Sequence, residues 1–210
     1  ITDHSMHIVF DPELGWCLSR EDAPALLEDC MERGQERLLR HIEHLRSLDH
    51  GRLLVGTELD ILPDGRPVFP EDLLGEMDIR VGAVHAMAAV RQGLPAAEVM
   101  EEWRFQNRAL FGLGVEILAH PFRYLMSNKV PVSDEDVHWI VEEAAARGVA
   151  LEVNSHYVFP DLDRLMVREC LAKGVRVAIG TDAHRWSEVT DFTYHDRILS
   201  ECGVTTEEQR

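Results

Sequence analysis

Glu58, His85, His120, Asn154 and Asp182 recur at intervals of 27 to 35 residues, and each closes or follows a short apolar run. That interval is about the length of one β/α unit of a barrel. The runs predict strands over Ile1–Asp3, Leu53–Glu58, Ile79–His85, Val115–His120, Val149–Asn154 and Val175–Thr181. Amphipathic segments between them predict helices over Arg20–Leu48, Ala96–Phe111, Ser133–Gly148, Asp161–Lys173 and part of Ser187–Cys202. Ser19/Asp22 and Ser133/Asp136 are spaced as capping boxes, and Gly148 and Gly174 stand where helices commonly stop. The segment Leu62–Pro70, with three prolines and an Asp64-Gly65 pair, reads as a turn-rich excursion. No linker or low-complexity stretch divides the chain, so one α/β domain over residues 1–210 is expected.

In a parallel barrel every strand ends at the same face, so the side chains at those ends converge on one pocket. The set is His4, Glu58, His85, His120, Asp182 and His184, imidazoles mixed with carboxylates. Borderline divalent metals such as Zn, Mn or Fe accept that mixture. A single histidine at a strand end is ordinarily a hydrogen-bonded loop or core residue; His7 is read as a loop residue, His41 and His44 as part of a solvated helix face, and His50 and His138 as surface residues. Glu58 resists the ordinary reading, because burying a carboxylate without a partner is costly. Arg123 and Arg185 follow His120 and His184 on loops of the same face, where a guanidinium suits bidentate phosphate recognition. His156, just past Asn154, is a further candidate for contact with substrate. Trp16, Trp103, Trp139 and Trp186 are scattered, so packing is their default role, and only Trp186 falls near the site in sequence.

Composition narrows the partners. The formal net charge is −17, from 38 acidic and 21 basic residues, which disfavours a large duplex-binding surface. A phosphate group held by metal ions in a local pocket remains compatible with that charge. The four cysteines, Cys17, Cys30, Cys170 and Cys202, form no CxxC pair and read as reduced thiols. With no secretory leader and no run of about 20 apolar residues, the expected setting is the cytoplasm, without a membrane span.

The stretches ITDHS (Ile1–Ser5), GTELDI (Gly56–Ile61), GAVH (Gly82–His85), ILAHP (Ile117–Pro121), LEVNS (Leu151–Ser155) and IGTDAH (Ile179–His184) resemble, in order, the motifs of the PHP (polymerase and histidinol phosphatase) family. The resemblance implies a distorted (β/α)7 TIM-like barrel, up to three divalent metal ions (Zn, Mn or Fe), and hydrolysis of phosphate esters by a metal-bridging hydroxide. Carried over, Glu58 bridges two metals, and His85 and His120 complete the second. Asp182 binds the first, and His4 and His184 bind the third. Asp3 and Asn154 fall beside these ligands, orienting them or the substrate. The family's opening strand and its His-x-His motif are not in the sequence, which begins at the second motif. The barrel is therefore expected to lack its N-terminal strand here, and residues upstream of Ile1 are expected to supply the motif.

The expected substrate is a small phosphomonoester of the histidinol phosphate kind. A 3′–5′ exonuclease or other phosphodiesterase of the same family is the nearest rival. An inert metal-binding PHP module is a third reading. An amidohydrolase fits less well, because Glu58 stands where a carbamylated lysine or equivalent bridging ligand would be needed.

Overall fold

The computed structural model describes residues 2–48 and 53–204, in two compact units, residues 1–116 and 117–210. In the first unit β1 (Thr2–His4), β2 (Gly56–Asp60) and β3 (Ile79–Ala83) pair in chain order, all parallel. In the second, β4 (Ile117–Leu118), β5 (Ala150–Asn154) and β6 (Val177–Gly180) do the same. The class is α/β, as the alternation of runs predicts.

Among the described residues two α-helices, with a short 3-10 turn between them, link β1 to β2. The first, α1 (Ser5–Val9), is too short to leave a periodic trace in the sequence. The second, α2 (Ala23–Ser47), buries Leu27, Cys30, Gly34, Leu38, Ile42 and Leu45, a stripe at three- and four-residue spacing. Gly34 is required by the packing, since a Cβ there would lie 2.8 Å from the Val9 carbonyl oxygen. Arg37 then donates to the carbonyls of Ile8 and Val9 at 2.7 and 2.5 Å, satisfying acceptors that the end of α1 leaves open. The Ser19/Asp22 capping box does not form. Arg20 takes the Asp22 carboxylate at 2.8 and 2.6 Å, so the helix starts at Ala23 with no side-chain cap.

Between β2 and β3 the chain turns on Gly65, at φ +85°, and pairs Ile61 with Pro67 before a 3-10 segment over Glu71–Glu76. This is the turn-rich excursion read from its prolines. After β3 come α3 (Ala88–Arg91) and α4 (Ala96–Gly112), which carries the fully buried Trp103. Glu102 of α4 accepts the Ala88 and Ala89 amides at 2.7 and 2.6 Å, so α4 caps α3.

The second unit has α5 (Arg123–Ser127), α6 (Asp134–Arg147), α7 (Pro160–Lys173) and α8 (Thr193–Glu201). The short α5 was not predicted, but the signals for α6 and α7 hold. Ser133 and Asp136 form a reciprocal capping box, and Gly148 and Gly174 end α6 and α7 at φ 70°. Leu118, Leu151 and Val153 from the strands are buried, as are Val137, Ile140 and Val141 of α6 and Met166 and Val167 of α7. No helix among the described residues is long and apolar enough to cross a membrane. All four cysteines are free thiols, as their spacing predicts.

One polar contact ties α7 to α8. The Tyr194 hydroxyl donates to Asp163, which is 6% exposed and also accepts the Phe159 amide at 3.3 Å. Burial pushes the Asp163 carboxyl up to about 6, against the lowering effect of those hydrogen bonds. The folded protein therefore holds this proton more tightly than the unfolded chain does. Asp163 favours folding most below its ordinary value of 3.8, and that contribution is lost as pH rises through about 6. Asp163→Asn keeps an acceptor oxygen and removes the titration. It should stabilise the protein by about 1–3 kcal/mol at pH 8 and by much less at pH 4. Thermal melts of both proteins at the two pH values check this, and an equal difference at both would rule out the assignment.

Candidate functional site

Side chains alternate across a strand, so register decides which residues meet. In the first unit His4 of β1 pairs with Glu58 of β2, and Glu58 pairs with Val81 of β3. Asp60 pairs with Ala83, and His85 lies two residues beyond it on the same parity. His4, Glu58, Asp60 and His85 therefore share one face, while Leu59 on the other parity is fully buried.

The resulting cluster is tight. His85 donates from Nδ1 to Asp60 Oδ1 at 2.7 Å, which leaves Nε2 as the lone-pair nitrogen, 3.4 Å from Glu58 Oε1. His4 Nδ1 lies 3.6 Å from Glu58 Oε2 and 3.4 Å from Asp60 Oδ1. Asp60 is fully buried and also accepts the Met6 amide at 2.9 Å and the Ser5 hydroxyl at 3.2 Å. Burial alone would raise its carboxyl. The hydrogen bonds and charge of His4 and His85 outweigh that and hold it well below the usual carboxylate range. A carboxylate on one imidazole nitrogen, with the other nitrogen aimed at a second carboxylate, is the arrangement that orients a metal-ligating histidine. His4, Asp60 and His85 also offer three donor atoms within 4.8 Å of one another. The donor set fits a borderline divalent cation.

Sequence reasoning missed Asp60. It treats Glu58 as the end of the strand, whereas β2 runs on through Asp60 and places Glu58 at its centre. The usable sign was parity, two acids two residues apart inside an apolar run. Trp16 was missed as well. Its ring stands edge-on to His4 at 5.6 Å and to His85 at 5.5 Å, and it is 45% exposed beside the cluster. His7 lies 5.2 Å from His4, ring to ring. Asp3 turns away from the cluster, its carboxylate 3.5 Å from His41 of α2. Trp186, the one tryptophan near the site in sequence, is 94% exposed. His50 lies outside the described residues, and His44 and His138 are on the surface as expected.

In the second unit the candidates fall into two groups. His120, Arg123 and Asn154 line a narrow cleft with Glu152 and Tyr157. Glu152 accepts the His120 amide at 2.9 Å and the Asn154 amide group at 3.1 Å. Asn154 in turn accepts the His156 and Tyr157 amides, which shapes the loop after β5. Arg123 donates to the Tyr157 hydroxyl at 3.0 Å and lies 4.5 Å over its ring. The other group, His156, His184 and Arg185, lines an open cavity of about 470 Å³. Asp182 is half-buried, 3.7 Å from His184 through its Oδ1. His120 and Asp182 have φ values of +29° and +45°, which L-residues adopt only when surroundings impose them, at a cost on the order of 1–3 kcal/mol. His195, fully buried, donates from Nε2 to the Gly180 carbonyl at 3.0 Å and so fixes α8 to the end of β6.

Parallel strands that deliver imidazoles and carboxylates to compact clusters define a candidate divalent-metal protein of the α/β class. No family model matches the chain. It is similar to the DNA polymerase/3′-5′ exonuclease PolX of Bacillus subtilis (strain 168), at 30% identity over 161 residues, 75% of this chain and 27% of that protein. A probable phosphatase of Caldanaerobacter subterraneus subsp. tengcongensis is 25% identical over 162 residues, 74% of this chain and 59% of that protein. A probable phosphatase of Acetivibrio thermocellus is also 25% identical over 162 residues, 74% of this chain and 62% of that protein. The match thus spans about a quarter of the polymerase/exonuclease and about three-fifths of these phosphatases. These relatives support a PHP-like family.

Proposed function

We propose that the chain belongs to a PHP-type, metal-dependent phosphoesterase on a distorted (β/α)7 barrel, acting on a small phosphomonoester. The observation that carries this reading is His85, held by the buried Asp60 through Nδ1 with Nε2 turned to Glu58. Phosphatase relatives at 25% identity support the reaction class. His4, Glu58, His85, His120, Asp182 and His184 would hold the cations, as the order of motifs implies. Bound divalent cations would supply Lewis acidity toward the phosphoryl oxygens and a water acidic enough to attack phosphorus at neutral pH.

The protein's own groups do the rest. Asp60 accepts the Nδ1 proton of His85 and so fixes the ring with Nε2 toward Glu58. Glu152 fixes the strained backbone at His120. Arg123, stacked on Tyr157, is pre-positioned for a phosphoryl oxygen, and Arg185 is placed for the same task at the mouth of the open cavity. His156 and Asn154 shape the loop that would meet the leaving group.

The protein should hydrolyse an aryl phosphate with added Mn²⁺ or Zn²⁺. It should lose more than about 90% of that rate in excess chelator and regain it on adding the metal. Activity that persists through exhaustive chelation would exclude the proposal. A second reading, a 3′–5′ exonuclease, draws on the polymerase/exonuclease relative. The net charge of −17 counts against a long nucleic-acid groove. Release of nucleotides from single-stranded DNA faster than of phosphate from monoesters would favour the second reading.

A further inference from the structure

β5 and β6 pair through Asn154 and Gly180, and the Ser155 amide continues the ladder onto the Gly180 carbonyl at 3.1 Å. The two strands therefore release their following loops side by side. The first loop brings His156, the second His184. Their rings stack with centroids 4.3 Å apart and planes 27° from parallel. Glu188 folds back over the same loop, its Oε2 accepting the amides of His184 and Arg185 at 2.8 and 3.1 Å. The same oxygen lies 3.8 Å from His156 Nδ1.

Four features mark this group as more than a surface contact. One donor atom from each of His156, His184 and Glu188 lies within 4.8 Å of those of the other two. His184 Nδ1 is 2.7 Å from the Asp182 carbonyl oxygen, and a carbonyl can only accept, so Nδ1 carries the proton and Nε2 the lone pair. Glu188 spends Oε2 on two backbone donors, which fixes the carboxylate and makes no hydrogen-bonding demand on Oε1 among the described residues. The group opens on the cavity of about 470 Å³, which has room for water or an anion beside a bound ion.

We propose that His156, His184 and Glu188 form a binding site for one divalent cation of the borderline class, Zn²⁺, Co²⁺ or Fe²⁺. Two imidazoles and one carboxylate are a facial ligand set for such ions, and the remaining positions face the cavity. The site shares His184 with the metal set of the proposed phosphoesterase and is otherwise separate from it. It uses neither Glu58 nor His85, and it is contained within the second unit.

The test is cobalt titration of the 210-residue chain, read by visible d–d absorption, with zinc calorimetry in parallel. It compares Glu58→Gln alone with Glu58→Gln carrying either His156→Ala or Glu188→Gln. Glu188→Gln retains an oxygen for the two amides, and thermal melts in chelator establish that each variant folds. The Glu58→Gln chain should still bind cobalt with a tetrahedral or five-coordinate spectrum. Each added substitution should weaken binding tenfold or more and shift that spectrum. The proposal is overturned if Glu58→Gln alone abolishes binding, or if the added substitutions change neither affinity nor spectrum. In either case the phosphoesterase reading still stands or falls on its chelation assay.

Discussion

Glu58→Gln should lower phosphatase activity by at least about a hundredfold while leaving the metal-free protein nearly as stable as the parent. The side chain is 7% exposed at the centre of β2, with one oxygen 3.4 Å from His85 and the other 3.6 Å from His4. Glutamine fills the same volume and removes the charge that two cations would share, so a neutral amide oxygen replaces a carboxylate ligand. The hydrophobic packing around Leu59 is untouched, and melts in chelator should differ by no more than a few degrees. Metal content, activity and the melt are measured on the same preparation. A variant that keeps full metal and full activity would make Glu58 a structural carboxylate and remove the basis of the bridged site.

Asp60 should produce the largest loss of stability. Asp60→Ala leaves His85 Nδ1, the Ser5 hydroxyl and the Met6 amide facing a cavity without the acceptor they share. The expected cost is about 3–5 kcal/mol in the metal-free protein. Asp60→Asn keeps the volume and one acceptor oxygen, but turns an N–H toward a group that now donates. It should fold, with metal affinity reduced about 10- to 100-fold, the usual effect of removing the partner behind a ligating histidine. Nitrogen NMR of the imidazoles gives a separate readout, because His85 should lose its fixed Nδ1–H tautomer. Unchanged affinity and tautomer in Asp60→Asn would reduce Asp60 to a packing residue.

Six strands were legible from the alternation of short β-rich runs with amphipathic segments, and α6 and α7 because their stop glycines agree with periodicity, whereas the five-residue α5 went unpredicted. Where a side chain had a competing partner, local rules failed. Asp22 is spaced to cap α2, but Arg20 reaches its carboxylate first. The helix α1 has only five residues, too few for periodicity to register. Of the candidate site, His4, Glu58 and His85 were legible from their positions after apolar runs, and the register brings them to one face. Asp60 and Trp16 were not. An acid two residues past another reads as the chain leaving the sheet, and an isolated tryptophan carries no mark of the histidines it will stand beside.

Gly180 has a consequence for how this sequence can vary. A Cβ at that position would fall within the Glu152 carboxylate, the group that accepts the His120 amide. A larger residue at 180 therefore displaces the Glu152 carboxylate, and a displaced carboxylate releases the amide of the strained His120. Three positions on three successive strands and their ends are thereby coupled through one carboxylate. The coupling runs from the size of residue 180 through the carboxylate of residue 152 to the backbone of residue 120, although only the last of the three carries an imidazole.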